Sequence, residues 1–132
     1  MTAPEPFRPQ PPARPGGSQL FTDSYEVRPG VVVVTVAGDV DLATEPALQA
    51  ALAAVVADPA VQVLVCDLSD VLFLSCGGLS VLIQAQLDLS RRDARLRVVA
   101  WRSIAVRIIG LAGLTDMLDL RRDLAEACAP PP

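Results

Sequence analysis

Val61-Gln62-Val63-Leu64-Val65-Cys66-Asp67-Leu68-Ser69-Asp70-Val71-Leu72-Phe73-Leu74-Ser75-Cys76-Gly77-Gly78-Leu79-Ser80-Val81-Leu82 is the stretch on which the fold turns. Up to Leu68 only Gln62 and Asp67 interrupt the apolar run, as in a strand covered on both faces, which predicts a central strand over Val61 to Leu68. Ser69 to Ser75 reads as a connection. Gly78, Val81, Leu82, Ala85 and Leu89 then mark one face of a helix that the charged run Ser90 to Arg95 closes. A covered strand feeding a helix is half of a parallel crossover unit, so the class is α/β.

On the N-terminal side, Phe21 to Val27 alternates loosely, Arg28-Pro29-Gly30 signals a turn, and Val31 to Ala37 is a β-branched run; together they predict a hairpin. Gly38-Asp39-Val40-Asp41 breaks that run. Leu48, Ala51, Leu52, Val55 and Val56 follow at the spacing of a buried helix face, with Thr44 as the N-cap, Pro46 in the first turn and Asp58-Pro59 as the stop. On the C-terminal side, Leu96 to Ala100 is the next strand. Ser103 caps a third helix whose apolar face is Ile104, Ile108 and Leu111, with Gly113 ending it. Met117 to Leu120 gives a short edge strand and Leu124 to Cys128 a last short helix. The expected architecture is a single domain with a mixed sheet of four to five strands and three to four helices, spanning residues 19–128. Residues 1–18 are rich in proline and lack apolar periodicity, so they are expected to be disordered, and residues 129–132 are a proline tail.

Composition narrows the chemistry. The 132 residues contain no His, no Lys and no Asn, which removes the commonest general base and metal ligand as well as the P-loop and Schiff-base lysines. Cys66, Cys76 and Cys128 are an odd number without paired spacing, and fit neither a disulfide framework nor a zinc site. Arg91, Arg92, Arg95 and Arg97 are interspersed with Asp88 and Asp93, and the net charge is −4, so nucleic acid is not the expected partner. The mean hydropathy is +0.42, yet no apolar run reaches the roughly 20 residues of a membrane span. A cytoplasmic, non-enzymatic protein without membrane insertion, metal or cofactor is the expectation.

In folds of this order, working surfaces gather where strands end and helices begin. Two segments meet there: Gly38-Asp39-Val40-Asp41-Leu42-Ala43-Thr44 and Phe73-Leu74-Ser75-Cys76-Gly77-Gly78-Leu79-Ser80. With Asp67-Leu68-Ser69, Val81-Leu82-Ile83, and Ala105-Val106-Arg107 through Gly113-Leu114 and Leu118, they make the chain resemble the STAS family, the domain of bacterial anti-sigma factor antagonists. The resemblance implies a module that binds an anti-sigma factor, a histidine-kinase-like ATPase, or a related regulator in transcription control. It places the partner surface at Asp39, Asp41, Thr44, Ser75, Cys76, Gly77, Gly78 and Ser80.

One departure matters. The family's Asp-Ser-Ser-Gly, whose second serine is phosphorylated by the partner kinase, falls on Ser75-Cys76-Gly77-Gly78. Gly77 has no hydroxyl, so the resemblance implies docking without that switch; Ser75 and Ser80 are the nearest candidate phosphorylation sites.

Simpler roles stay open for the same residues. Gly77-Gly78 permits a tight turn into the helix, Asp39 and Asp41 form turns and caps, Ser75 is an N-cap, and Cys66 and Trp101 pack. Two other functions stay open as well: a small-ligand or nucleotide-sensing module whose Gly77-Gly78 amides face an anion, and a subunit of a stress-signalling or lipid-transport complex. A homodimer is a further alternative.

Overall fold

A computed structural model describes residues 19–130; the expectations for residues 1–18 and for the last two prolines lie outside the described residues. Gly30, at φ +85°, turns the chain between β1 (Leu20–Arg28) and β2 (Val31–Val40), which pair antiparallel. Then follow α1 (Glu45–Val56), β3 (Val63–Leu74), α2 (Cys76–Ser90), β4 (Arg95–Val99), α3 (Ile104–Leu111), β5 (Leu120–Arg121) and α4 (Leu124–Cys128). The sheet order is β1-β2-β3-β4-β5, and every pairing after the hairpin is parallel. Five strands, four helices and a mixed sheet agree with the class expected from the sequence.

Strand alternation sorts the core. Val34 and Val36 of β2, Leu64, Cys66 and Leu68 of β3, and Leu96 and Val98 of β4 face one side. There they pack with Leu48 and Leu52 of α1, Leu79, Leu82, Ala85 and Leu89 of α2, and Ala105 and Ile109 of α3. Val31, Val33, Val63, Val65 and Val99 point the other way, onto Ala127, Leu124 and Cys128 of α4. Coverage on both faces is the reason the strands read as near-continuous apolar runs.

The expected connection Ser69 to Ser75 is instead strand as far as Leu74. β2 also runs past Gly38-Asp39, and the two strands pair Asp39 with Phe73 and Val40 with Leu74. Polar residues are accommodated by irregularities: the register shifts between Thr35 and Ala37 and again between Gly38 and Asp39, and Asp67 Oδ1 accepts the Ser69 N–H at 3.0 Å. Gly38 sits at φ +105°, and a Cβ there would run into the Gln19 carbonyl oxygen.

The face of α3 also differs from expectation. Ala105 and Ile109 are buried, whereas Leu111 is 82% exposed and Ile104 lies at the surface. The larger side chains suggested the wrong stripe, because on the buried side the small Ala105 stands beside Ile109. Ser103 does cap the helix, and Gly113, at φ +73°, follows its end. The arginines expected to form a loose basic cluster are dispersed by structural work. Arg92 donates to the carbonyls of Val56, Asp58 and Val61, tying off the end of α1, while Arg97 is buried and donates to Ala127 O and Ala129 O at 2.8 and 2.9 Å. No helix among the described residues is long and apolar enough to cross a membrane.

Candidate functional site

The ends of β2 and β3 lie side by side, so the two segments singled out in the sequence meet. Ser75 N donates to Val40 O at 2.9 Å, which fixes the start of α2 to the last residue of β2. Ser75 has extended φ/ψ, and its Oγ accepts the Gly78 N–H at 3.0 Å, an N-cap as expected. The same hydroxyl donates to Glu45 Oε2 at 2.8 Å, across from the first turn of α1. The Ser75 hydroxyl thus both accepts and donates.

Gly78 is buried, and a Cβ on it would stand 2.5 Å from Val40 Cγ1 and 2.8 Å from Leu74 Cδ1, so close packing explains that glycine. Gly77 is different. A Cβ built on it would fall on the carboxylate of Glu45, which fills the space a side chain at position 77 would need. Cys76 is an exposed free thiol, and Ser80 is exposed with its Oγ donating to Cys76 O at 3.2 Å.

Thr44 does not cap α1 with its side chain. Its hydroxyl donates to Asp39 O at 2.6 Å and accepts the Asp41 N–H at 2.9 Å, and the residue is buried. Asp41 closes the turn ahead of α1: its Oδ1 accepts the N–H groups of Ala43 and Thr44 at 3.0 and 3.1 Å. The loop is therefore held by side chains from within, and Thr44 lies beneath the surface on which Asp39, Asp41, Ser75, Cys76, Gly77 and Ser80 gather.

Composition-based reading missed four residues here. Leu42 is 84% exposed, Leu72 74% and Phe73 49%, all at the end of β2 and β3 where the Ser75–Ser80 turn emerges. Exposed leucine and phenylalanine beside a capped turn are nonpolar surface that water does not favour. Their signal was apolar residues inside segments that otherwise read as polar connections. Glu45 is the fourth, and it carries no local signal, because its contact with Gly77 spans two secondary elements. Trp101 and Ile104 are also exposed, at the start of α3, which is anchored to β3 by Ser103 Oγ donating to Val71 O at 3.0 Å. Trp101 is half-exposed, with the Arg122 guanidinium 5.5 Å from its ring centre.

Among the described residues, no group of three His, Cys, Asp or Glu side chains is placed to hold a metal. Cys66 is fully buried on β3, away from solvent, and burial first and Asp67 second push its thiol up to about 12. Two hollows lie away from this turn. One of about 260 Å³ lies between α1 and α2, lined by Leu52, Val56, Val81 and Ala85. A wider one of about 720 Å³ lies over the open sheet face, lined by Phe21, Thr35, Asp67 and Asp70. The Ser75–Ser80 turn borders neither.

The sequence model of the STAS domain matches residues 24–127. The anti-sigma-F factor antagonist RsfB of Mycobacterium tuberculosis is 38% identical over 98 residues, which cover 74% of this chain and 79% of that protein. Among solved structures, an anti-sigma factor antagonist from Mycobacterium paratuberculosis is 38% identical with a TM-score of 0.76, covering 83% of this chain and 91% of its own. The anti-sigma factor antagonist SpoIIAA in its unphosphorylated form shares the fold at 15% identity, with a TM-score of 0.69 over 81% of this chain and 92% of its own.

Proposed function

Because this chain belongs to the STAS domain family, we propose that it is an anti-sigma factor antagonist that works by docking, with the end of β2 and β3 and the start of α2 as its binding surface. The observation that carries this is the exposed apolar group Leu42, Leu72 and Phe73 around the capped turn at Ser75. Burying about three such side chains against a partner supplies the nonpolar centre that protein interfaces need. The partner is an anti-sigma factor, the class that the mycobacterial relative antagonises by name, and its being an ATPase of the histidine-kinase type is part of the proposal.

Docking here is not switched by phosphorylation. Gly77 has no hydroxyl, and phosphate on Ser75 would break the bond to Glu45 and bring a dianion against a carboxylate. Ser80 is the one hydroxyl of this turn that is exposed. Protein docking is favoured over anion sensing for a related reason: the Gly78 N–H is already donated to Ser75 Oγ, and Glu45 covers Gly77.

Calorimetric titration of the full chain into an anti-sigma-F factor tests the proposal. Saturable binding is expected, weakened at least about tenfold by Phe73→Asp with little change in melting temperature. Absence of saturable binding overturns it. Incubating the complex with MgATP and recording the intact mass tests the second part: the mass stays unchanged, and a stoichiometric phosphate would refute the insensitivity.

A further inference from the structure

We propose that the part of the sheet left open beside α4 is a docking face for this chain's own residues 9–14, Pro-Gln-Pro-Pro-Ala-Arg, with Arg14 set against the carboxylates that line it. This contact is separate from the antagonist surface and does not depend on it.

α4 packs over Val31, Val33, Val63, Val65 and Val99 on its side of the sheet. Strand alternation carries the same face on to Thr35 of β2, Asp67 of β3, and Phe21, Asp23 and Tyr25 of β1, beyond the residues that α4 packs against. The hollow of about 720 Å³ lies there, and its lining includes Phe21 and three carboxylates, Asp23, Asp67 and Asp70, but no arginine. Tyr25, 45% exposed on the same face, adds a second ring. Among the described residues, none of the ion pairs involves these three aspartates.

The path of the chain identifies the occupant. β1 begins at Leu20, itself a lining residue, and Gln19 is fixed beside it, its carbonyl accepting the Asp39 N–H at 3.0 Å. The Gln19 side-chain Oε1 is buried with no hydrogen-bond partner among the described residues, an acceptor left open at the root of the preceding segment. Residues 1–18 therefore join the sheet at the rim of the hollow. They carry two arginines, Arg8 and Arg14, against a single acid, Glu5, opposite in sign to the lining. Between Arg14 and β1 stand Gly16-Gly17, which permit the reversal a chain needs to return over its own strand.

The spacing Pro9-x-x-Pro12-x-Arg14 fits what this face offers. Pro-x-x-Pro segments favour the extended polyproline II form and dock in grooves lined by aromatic rings, here Phe21 and Tyr25. At about 3.1 Å per residue, six residues span roughly 19 Å, enough to cross β1, β2 and β3 at about 4.8 Å between strands. Proline restricts the free chain as well as the docked one, so ordering such a segment costs little, and a stretch without apolar periodicity can still occupy a surface. Attachment through residues 15–18 gives it an effective concentration on the order of millimolar, at which a weak contact suffices.

NMR of the full chain tests this. Side-chain protons of Pro9, Pro11 and Pro12 are expected to show nuclear Overhauser contacts to the ring protons of Phe21 or Tyr25, and to lose them in Arg14→Glu and in Asp70→Lys. Arg14→Glu is also expected to shift the amide resonances of Asp23, Thr35 and Asp70 while those of Leu96 and Val98, which face the opposite side of the sheet, stay in place and report an intact fold. Absence of the contacts in the wild type, or contacts that survive both charge reversals, overturns the proposal. A mixture of 13C-labelled and unlabelled chains decides the source of the segment: contacts within one chain are expected, and contacts found only between chains would overturn the proposal and assign the face to a second copy.

Discussion

The Cys66 thiol is enclosed between β3 and the helices, and its ionisation is raised from an ordinary 9.0 to about 12 by burial and by Asp67. Its folded value lies above its unfolded one, so the fold favours the neutral thiol. That contribution is fully present below pH 9 and is lost as the pH climbs from 9 toward 12, at about 1.4 kcal/mol per unit for this group. Burial also raises Cys128, and raises Tyr25 together with nearby Cys128 and Asp67, so part of the alkaline loss remains without Cys66. Thermal melts between pH 8 and 11 are expected to show a falling melting temperature in the wild type and a shallower fall in Cys66→Ala. Equal slopes would show that this thiol is not the titrating group. At this scale the sequence was legible where a role depends on neighbours in the chain. Ser75 as a cap and Cys66 as a buried thiol followed from their surroundings, whereas Glu45 filling the space over Gly77 depends on α1 and α2 meeting, and nothing local to either residue announces it.

Ser103 does two things for α3: its Oγ accepts the Ala105 N–H at 3.1 Å and donates to Val71 O at 3.0 Å, in a buried position. Removing the hydroxyl leaves both groups without that partner. Ser103→Ala is therefore expected to cost about 2 kcal/mol in urea denaturation, more than loss of an exposed cap. A change below about 0.5 kcal/mol would refute a structural link between α3 and β3. Elements themselves were mostly readable, because the apolar run of β3 and the periodicity of α1 and α2 follow from burial on defined faces. What misled the reading was polarity inside β3. Ser69 and Asp70 looked like a loop, yet they are exposed on a strand whose backbone still pairs with β2 through Ala37 and Gly38. Exposure of one edge of a strand is indistinguishable, in one sequence, from a turn.

Across the whole molecule, the sheet is covered by three helices on one side and by α4 alone on the other. Arg97 holds that fourth helix: its guanidinium, 3% exposed as a residue, donates to Ala127 O and Ala129 O and lies 3.6 Å from Asp119. Burial is the main cause lowering its affinity for the proton, with Arg121 adding to this and Asp119 opposing it. Arg97→Leu is expected to destabilise the protein by about 2 kcal/mol and to release α4 first, since two carbonyls lose their donor. Hydrogen exchange checks this: amides of Ala127 and its neighbours exchange faster while those of β3 keep their protection. Uniform loss of protection would refute a local role. Nothing local to Arg97 announces this arrangement, because its donors reach carbonyls some 30 residues later in the chain. The spatial order of the strands carries one more consequence. They lie across the sheet in the order in which they occur along the chain, so no strand has to be inserted between two that are already paired. The hairpin closes over the shortest loop, and each later strand adds to a finished edge after one helix. Loop-closure entropy is then met in successive small instalments rather than in one long-range step. A sheet of this kind can grow from its N-terminal side during synthesis, with each new strand finding its template already in place.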